Sequence, residues 1–176
     1  MNASISDGAE SGSIRYLGSA LPTHFGSWMN EFSYGNWSVS LNFTYKLGYY
    51  FRRPSISYTA LVNQGIGHPD YRNRWQKEGD NTQVPSFLYP LTEQQRDGFY
   101  LSSDALVENG SHIRLQFVNV VYDVPKIIPG INRASLFINS SNLGIVWRAN
   151  KKGLDPDYPN GMPPQRTLSL GVRVNF

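Results

Sequence analysis

Guanidinium forks interleaved with flat rings are the side chains of this sequence best equipped for chemistry. Tyr49, Tyr50, Phe51, Arg52 and Arg53 stand together, and Tyr71, Arg72, Arg74 and Trp75 repeat the combination further along. Rings stack on sugar faces, and guanidinium groups grip carboxylates or protein surfaces. Tyr50, Arg52, Arg53, Tyr71, Arg74 and Trp75 are therefore expected to meet a ligand or a partner, the plainer alternative being an aromatic girdle with ordinary loop packing. Asp155 and Asp157, with Asn160 beside them, form an oxygen-rich loop that could hold Ca²⁺. A solvated turn explains them more simply, and no metal site is expected. His24, His68 and His112 are far apart and lack metal-ligand or triad spacing. With no cysteine there is no disulfide, thiolate site or cysteine nucleophile. No carboxylate pair stands out for glycoside hydrolysis. The expectation is a chain without catalytic residues or cofactor, and not an enzyme.

The elements that must position these residues are dominated by Trp37 to Tyr49. Trp37, Val39, Leu41, Phe43, Tyr45, Leu47 and Tyr49 alternate with Ser38, Ser40, Asn42, Thr44, Lys46 and Gly48, the period of a strand. At about 3.3 Å per residue this stretch extends about 43 Å, or about 33 Å along the normal if tilted by about 40°, enough to cross an outer-membrane bilayer. Its aromatic ends suit the lipid headgroups. The competing reading is a long strand in a soluble β-sandwich.

Composition admits both. Hydrophobic residues make up 40% and aromatics 14% of 176 residues, with a net charge of +3 and a mean hydropathy of −0.40. No apolar run reaches the roughly 18 residues of a membrane helix. The scattered Lys and Arg give nucleic-acid binding little support.

Residues 1–20 read as a polar loop or cut end. No charged stretch followed by an apolar one marks a signal peptide, so the expectation is a piece of a longer chain. Ser11 to Arg15 are possible remnants of a cut strand. A strand is expected from about Thr23 to Tyr34, joined through a tight Gly35-Asn36 turn to the organising strand. Periodicity then stops from about residue 50 to 110, apart from a helical turn or two around Tyr58 to Asn63. It resumes at His112, with Ile113 and Leu115 in one phase and Val118, Val120, Tyr122 and Val124 in the other, which predicts a β-bulge near Gln116 or Phe117. A short turn through Pro129-Gly130 leads to a strand from about Arg133 to Trp147. A second polar loop, about 148–165, precedes a last strand of Leu168, Leu170, Val172, Val174 and Phe176. Antiparallel neighbours would place both short turns on one side and both long loops on the other, the asymmetry of an outer-membrane barrel.

Three stretches then carry a family resemblance: ENGSHIRLQFVNVVYDVP, ASLFINSSNLGIVWRANKKGLDPDYPNG and PPQRTLSLGVRVNF. With LGSALPTHFGSWMNEFSYGNWSVSLNFTYKLGYYFRRPSI and RWQKEGDNTQVP upstream, their order resembles the C-terminal part of SusC/RagA-type TonB-dependent outer-membrane transporters of Bacteroidota. Phe117, where a polar residue is more usual, and the Val-rich stretch at 118–121 depart from the family pattern. The resemblance implies an all-β fold: an antiparallel transmembrane β-barrel segment, about five strands of a large barrel of about 22, incomplete on its own. It implies nutrient import, most of all of oligosaccharides, with a SusD-like surface lipoprotein. It also implies the TonB system, acting through an N-terminal part missing here. Location would be the cell outer membrane, with a periplasmic C-terminus and lipid around the wall. Leu170, Val172, Val174 and Phe176 resemble the signal read by the barrel-assembly machinery, a strand edge recognised by β-augmentation. The alternative from another class is a soluble β-sandwich that binds carbohydrate.

Overall fold

The computed structural model describes residues 15–91, 94–125 and 130–175. The expected loop or cut end before residue 15, Pro129 of the expected turn and the terminal Phe176 lie outside them. Seven strands follow in chain order: β1 (His24–Tyr34), β2 (Trp37–Leu47), β3 (Tyr50–Arg52), β4 (Val107–Asn109), β5 (His112–Val124), β6 (Arg133–Arg148) and β7 (Thr167–Asn175). Two helices, α1 (Tyr58–Gln64) and α2 (Gln94–Ser102), lie between β3 and β4. No helix among the described residues is long and apolar enough to cross a membrane. The fold is mostly antiparallel sheet, as expected of an all-β chain. The described residues divide into two compact units, one within 19–51 and 108–175, the other within 52–107 with 15–18.

The first unit is a five-stranded sheet in the order β1-β2-β5-β6-β7, every pair antiparallel. Paired residues share a face, so the alternation in the sequence propagates across the sheet. Phe32 pairs with Val39, Val39 with Val120, Val120 with Ile138 and Ile138 with Leu170, an apolar row through all five strands. One residue along each strand, on the opposite face, runs the polar row Glu31, Ser40, Asn119, Asn139 and Ser169. Three members of the apolar row are open to solvent, Phe32 61%, Ile138 46% and Leu170 72% exposed, while Val39 and Val120 are half-buried.

Tyr34 pairs with Trp37, leaving Gly35-Asn36 as the expected two-residue turn. Gly35 has a φ of 57°, a conformation that glycine alone adopts without a Cβ penalty. The expected bulge is present. Asn42 faces Phe117 and Phe43 faces Leu115, so Gln116 has no partner on β2. The register steps at the same place against β6, between Leu115 and Phe117.

Two expectations are corrected. The alternation of Trp37 to Tyr49 ends as a strand at Leu47, because Gly48 takes a φ of 72° and Tyr49 turns inward, 6% exposed. The region expected to be loop with a helical turn or two is a folded unit. Besides α1 it holds α2 and 3-10 turns at Pro69–Asn73 and Asp104–Leu106, and it has a core of Ile56, Tyr58, Val84, Tyr100 and Leu106. The α2 sequence, QQRDGFYLS, carries an internal glycine and no apolar stripe. Its helical period is therefore hidden, and packing rather than propensity fixes it.

Candidate functional site

Within the unit Arg52–Val107, helix α1 begins where two acceptors meet its first amides. Ser57 Oγ accepts Ala60 N at 3.1 Å and donates to Asp97 Oδ2 at 2.7 Å, while Asp97 accepts Tyr58 N at 3.1 Å and Thr59 N at 3.0 Å. Burial alone would raise the Asp97 carboxyl, but these hydrogen bonds hold it below its usual value. Asp97 lies on α2, so one carboxylate caps one helix from another. A second carboxylate, Asp70, receives Arg53 Nη1 at 2.5 Å and Ser55 Oγ at 2.6 Å. Burial opposes its ionisation, yet Ser55, Arg53 and His68 together lower it.

The rings of Tyr58, Tyr71 and Phe87 meet at centroid distances of 5.5 to 6.5 Å. Burial is the largest effect on the Tyr58 hydroxyl, which is pushed up to about 12 and donates to the Pro85 carbonyl. Arg74 stacks 4.1 Å from the Tyr71 ring centre.

The expected ligand-contacting set is thus divided. Arg53 is tied to Asp70, Arg52 donates to the Leu101 carbonyl at 3.2 Å, and Tyr71 and Arg74 are stacked within the unit. Trp75, 43% exposed, stands over a pocket of about 500 Å³ that Val84, Pro85, Arg96, Phe99 and Tyr100 also line. Arg96 and Phe99 were not singled out in the sequence, since their helix was not legible. Tyr50, 36% exposed, lies in the sheet unit.

The sheet unit has its own polar centre. Lys46 of β2 pairs with His112 of β5, and Arg114 stands on the same face two residues on. The loop after β6 lays Asp155 and Asp157 against these side chains. Arg114 Nη2 donates to Asp155 at 2.7 and 2.8 Å and to Asp157 at 3.3 Å, Lys46 Nζ to Asp157 at 2.7 Å, and His112 Nε2 lies 3.2 Å from Asp157 Oδ2. The hydrogen bond from His112, then that from Lys46 against the effect of burial, holds the Asp157 carboxyl well below the usual carboxylate range. Nδ1 of His112 lies 2.9 Å from the Gly110 carbonyl and 3.3 Å from the Tyr49 hydroxyl. Burial, reinforced by Asp157 and Asp155, pushes the Tyr49 hydroxyl up to about 12.

The two aspartates are therefore not a solvated turn, because the sheet supplies Lys46, His112 and Arg114 as partners for them. Among the described residues no group of His, Asp and Glu is arranged to hold a metal. His112 and Asp157 are brought together from 45 positions apart, a distance across which spacing carries no signal. His24 bonds only to its neighbour Thr23, at 3.0 Å, and His68 lies 3.8 Å from Asp70. Leu170, Val172 and Val174 lie exposed on β7, whose one partner among the described residues is β6.

The sheet thus carries an apolar row on one face and a polar row on the other, the second face also holding Phe117, Val121 and Phe137, and the unit Arg52–Val107 has a core of its own. No protein-family model matches the chain. It is 26% identical over 193 aligned residues to the TonB-dependent receptor P26 of Formosa agariphila, an alignment covering 91% of this chain and 18% of that protein. In fold it is similar to the RagAB peptide importer in the open-open state, with a TM-score of 0.63, 21% identity, and coverage of 92% of this chain and 18% of that one. The RagAB peptide transporter gives 0.64 at 20% identity, covering 97% and 19%. The resemblance to a SusC/RagA-type TonB-dependent transporter therefore stands, for a chain that spans about 18% of the curated relative it matches.

Proposed function

We propose that the chain forms part of the barrel wall, and one folded external loop, of an outer-membrane transporter that imports nutrients under TonB drive. One observation carries the reading: in the apolar row Phe32, Val39, Val120, Ile138 and Leu170, the residues Phe32, Ile138 and Leu170 stay exposed while the neighbouring row on the other face is polar throughout. Water penalises such a face, whereas lipid accepts it and the polar face turns to a hydrated lumen. A soluble sandwich would instead bury the apolar row against a second sheet.

In this reading the Gly35-Asn36 turn is periplasmic, the unit Arg52–Val107 is external, and the chain ends on the periplasmic side. Edge strands β1 and β7 continue into further strands, since lipid cannot satisfy open backbone groups. Leu170, Val172 and Val174, with Phe176, act as the strand read by the barrel-assembly machinery. A SusD-like lipoprotein meets the external loops, where Tyr50, Arg52 and Trp75 are the available contacts, and TonB acts through the rest of the protein. Exposed rings beside guanidinium groups support oligosaccharides as cargo. The names of the RagAB structures, a peptide importer and a peptide transporter, support peptides as the second reading.

The test is fractionation of the protein that carries this chain, expressed with an export signal. It is expected in the outer membrane, as a compact band on gels that shifts on heating. Recovery of the chain as a soluble, cooperatively folded monomer without detergent would refute the proposal.

A further inference from the structure

The pocket in the unit Arg52–Val107 has a composition that selects its occupant. Trp75 and Phe99 flank it, with Phe99 78% exposed, and Val84, Pro85 and Tyr100 line it. Three of these side chains are aromatic and the other two aliphatic, so this part of the lining rewards an apolar group. Arg96 is the one cation of the lining. Its Nη2 donates to Ser86 Oγ at 2.9 Å, and it makes no ion pair with a carboxylate among the described residues. A guanidinium held by one neutral hydroxyl keeps donors in reach of a carboxylate, in the fork geometry that binds its two oxygens together.

We infer that this pocket binds the C-terminal end of a short peptide, the terminal carboxylate on Arg96 and an apolar last side chain between Trp75 and Phe99. The remaining polar residues of the lining, Thr82, Gln83, Ser86 and Ser103, are neutral and can meet peptide amides or sugar hydroxyls alike, so Arg96 is what favours an end that carries a carboxylate. The inference deepens the import reading, on which it rests, by naming the chemical end of the cargo that the external unit meets.

The experiment is calorimetric titration of the intact protein, purified in detergent, with the tripeptide Ala-Ala-Phe as free acid, the same peptide as C-terminal amide, and digalacturonate. The free acid is expected to bind about tenfold or more tightly than the amide, the worth of a hydrogen bond to a charged group. Arg96→Gln should remove that preference, Arg96→Lys should restore part of it, and Trp75→Ala should weaken both peptides. Equal binding of acid and amide by the unaltered protein overturns the inference whether or not a variant folds. So does digalacturonate binding in place of the peptides. Fractionation of the same preparations separates the two failures. Outer-membrane protein that ignores the carboxylate sinks only the pocket assignment, whereas protein absent from that membrane sinks the import reading too.

Discussion

Asp97 shows how much one carboxylate can organise. It accepts three hydrogen bonds that would otherwise leave the start of α1 without partners and is 8% exposed. Asp97→Asn keeps the shape but turns one acceptor into a donor facing amide N–H groups. The unit Arg52–Val107 is expected to lose about 1–3 kcal/mol, read as faster amide exchange in α1 while the sheet is unchanged. Asp157 makes a pH-dependent contribution. Its carboxyl is depressed in the folded protein, so its stabilisation is complete above the unfolded carboxylate value of about 4 and is lost as pH falls through the folded value. Unfolding of the parent and of Asp157→Asn in lipid vesicles should differ by a constant amount from neutral pH down to about 4, and the difference should shrink below that. A gap that widens on acidification would contradict the assignment. Neither aspartate was conspicuous in the sequence for this role. Asp97 sits in a segment without helical period, and the partners of Asp157 come from two other strands.

Among the elements, β5 holds the sheet's two chemistries together. Strict alternation from Val118 would carry the apolar phase onto even-numbered residues throughout, placing His112 and Arg114 on the apolar face. The unmatched Gln116 reverses the phase, so Ile113 and Leu115 join the apolar rows and His112 and Arg114 turn to the opposite face. Deleting Gln116 would either slip the strand or drive His112 and Arg114 outward. The expected outcome is loss of the heat-sensitive compact band in outer-membrane fractions. Replacing Gln116 by Ala should leave that band intact, since the extra residue matters and its amide does not. This bulge, the Gly35-Asn36 turn and the long strands were all legible, because period-two patterning survives in a sequence whenever one face is apolar. The folded unit after β3 was not, because its core of Ile56, Tyr58, Val84, Tyr100 and Leu106 is gathered from residues with no common period. The pocket inherits that opacity: Trp75 stood out by type, whereas Arg96 and Phe99 needed the helix to be seen.

For the molecule as a whole the decisive question is what the apolar face touches. Ile138 lies in the apolar row, fourth of its five members, and Asn139 in the polar one. In a bilayer Ile138→Arg should cost about 2–4 kcal/mol, while Asn139→Arg, toward a hydrated lumen, should cost far less. Urea titration of the intact protein in lipid vesicles compares the two. Equal costs would show that neither face meets lipid.

The ring positions set a length as well as a side. On the apolar face Tyr34, Trp37 and Tyr122 stand in one row at the turn end, and Tyr45 and Trp147 share another toward the opposite end. From Trp37 to Tyr45 the strand advances about 26 Å, or about 20 Å along the normal at a tilt of about 40°. That is shorter than the roughly 30 Å of an average hydrocarbon core. In the proposed membrane wall this height creates negative hydrophobic mismatch: the surrounding leaflets would compress toward the rings, and the strain would favour a thin host bilayer over a thick one.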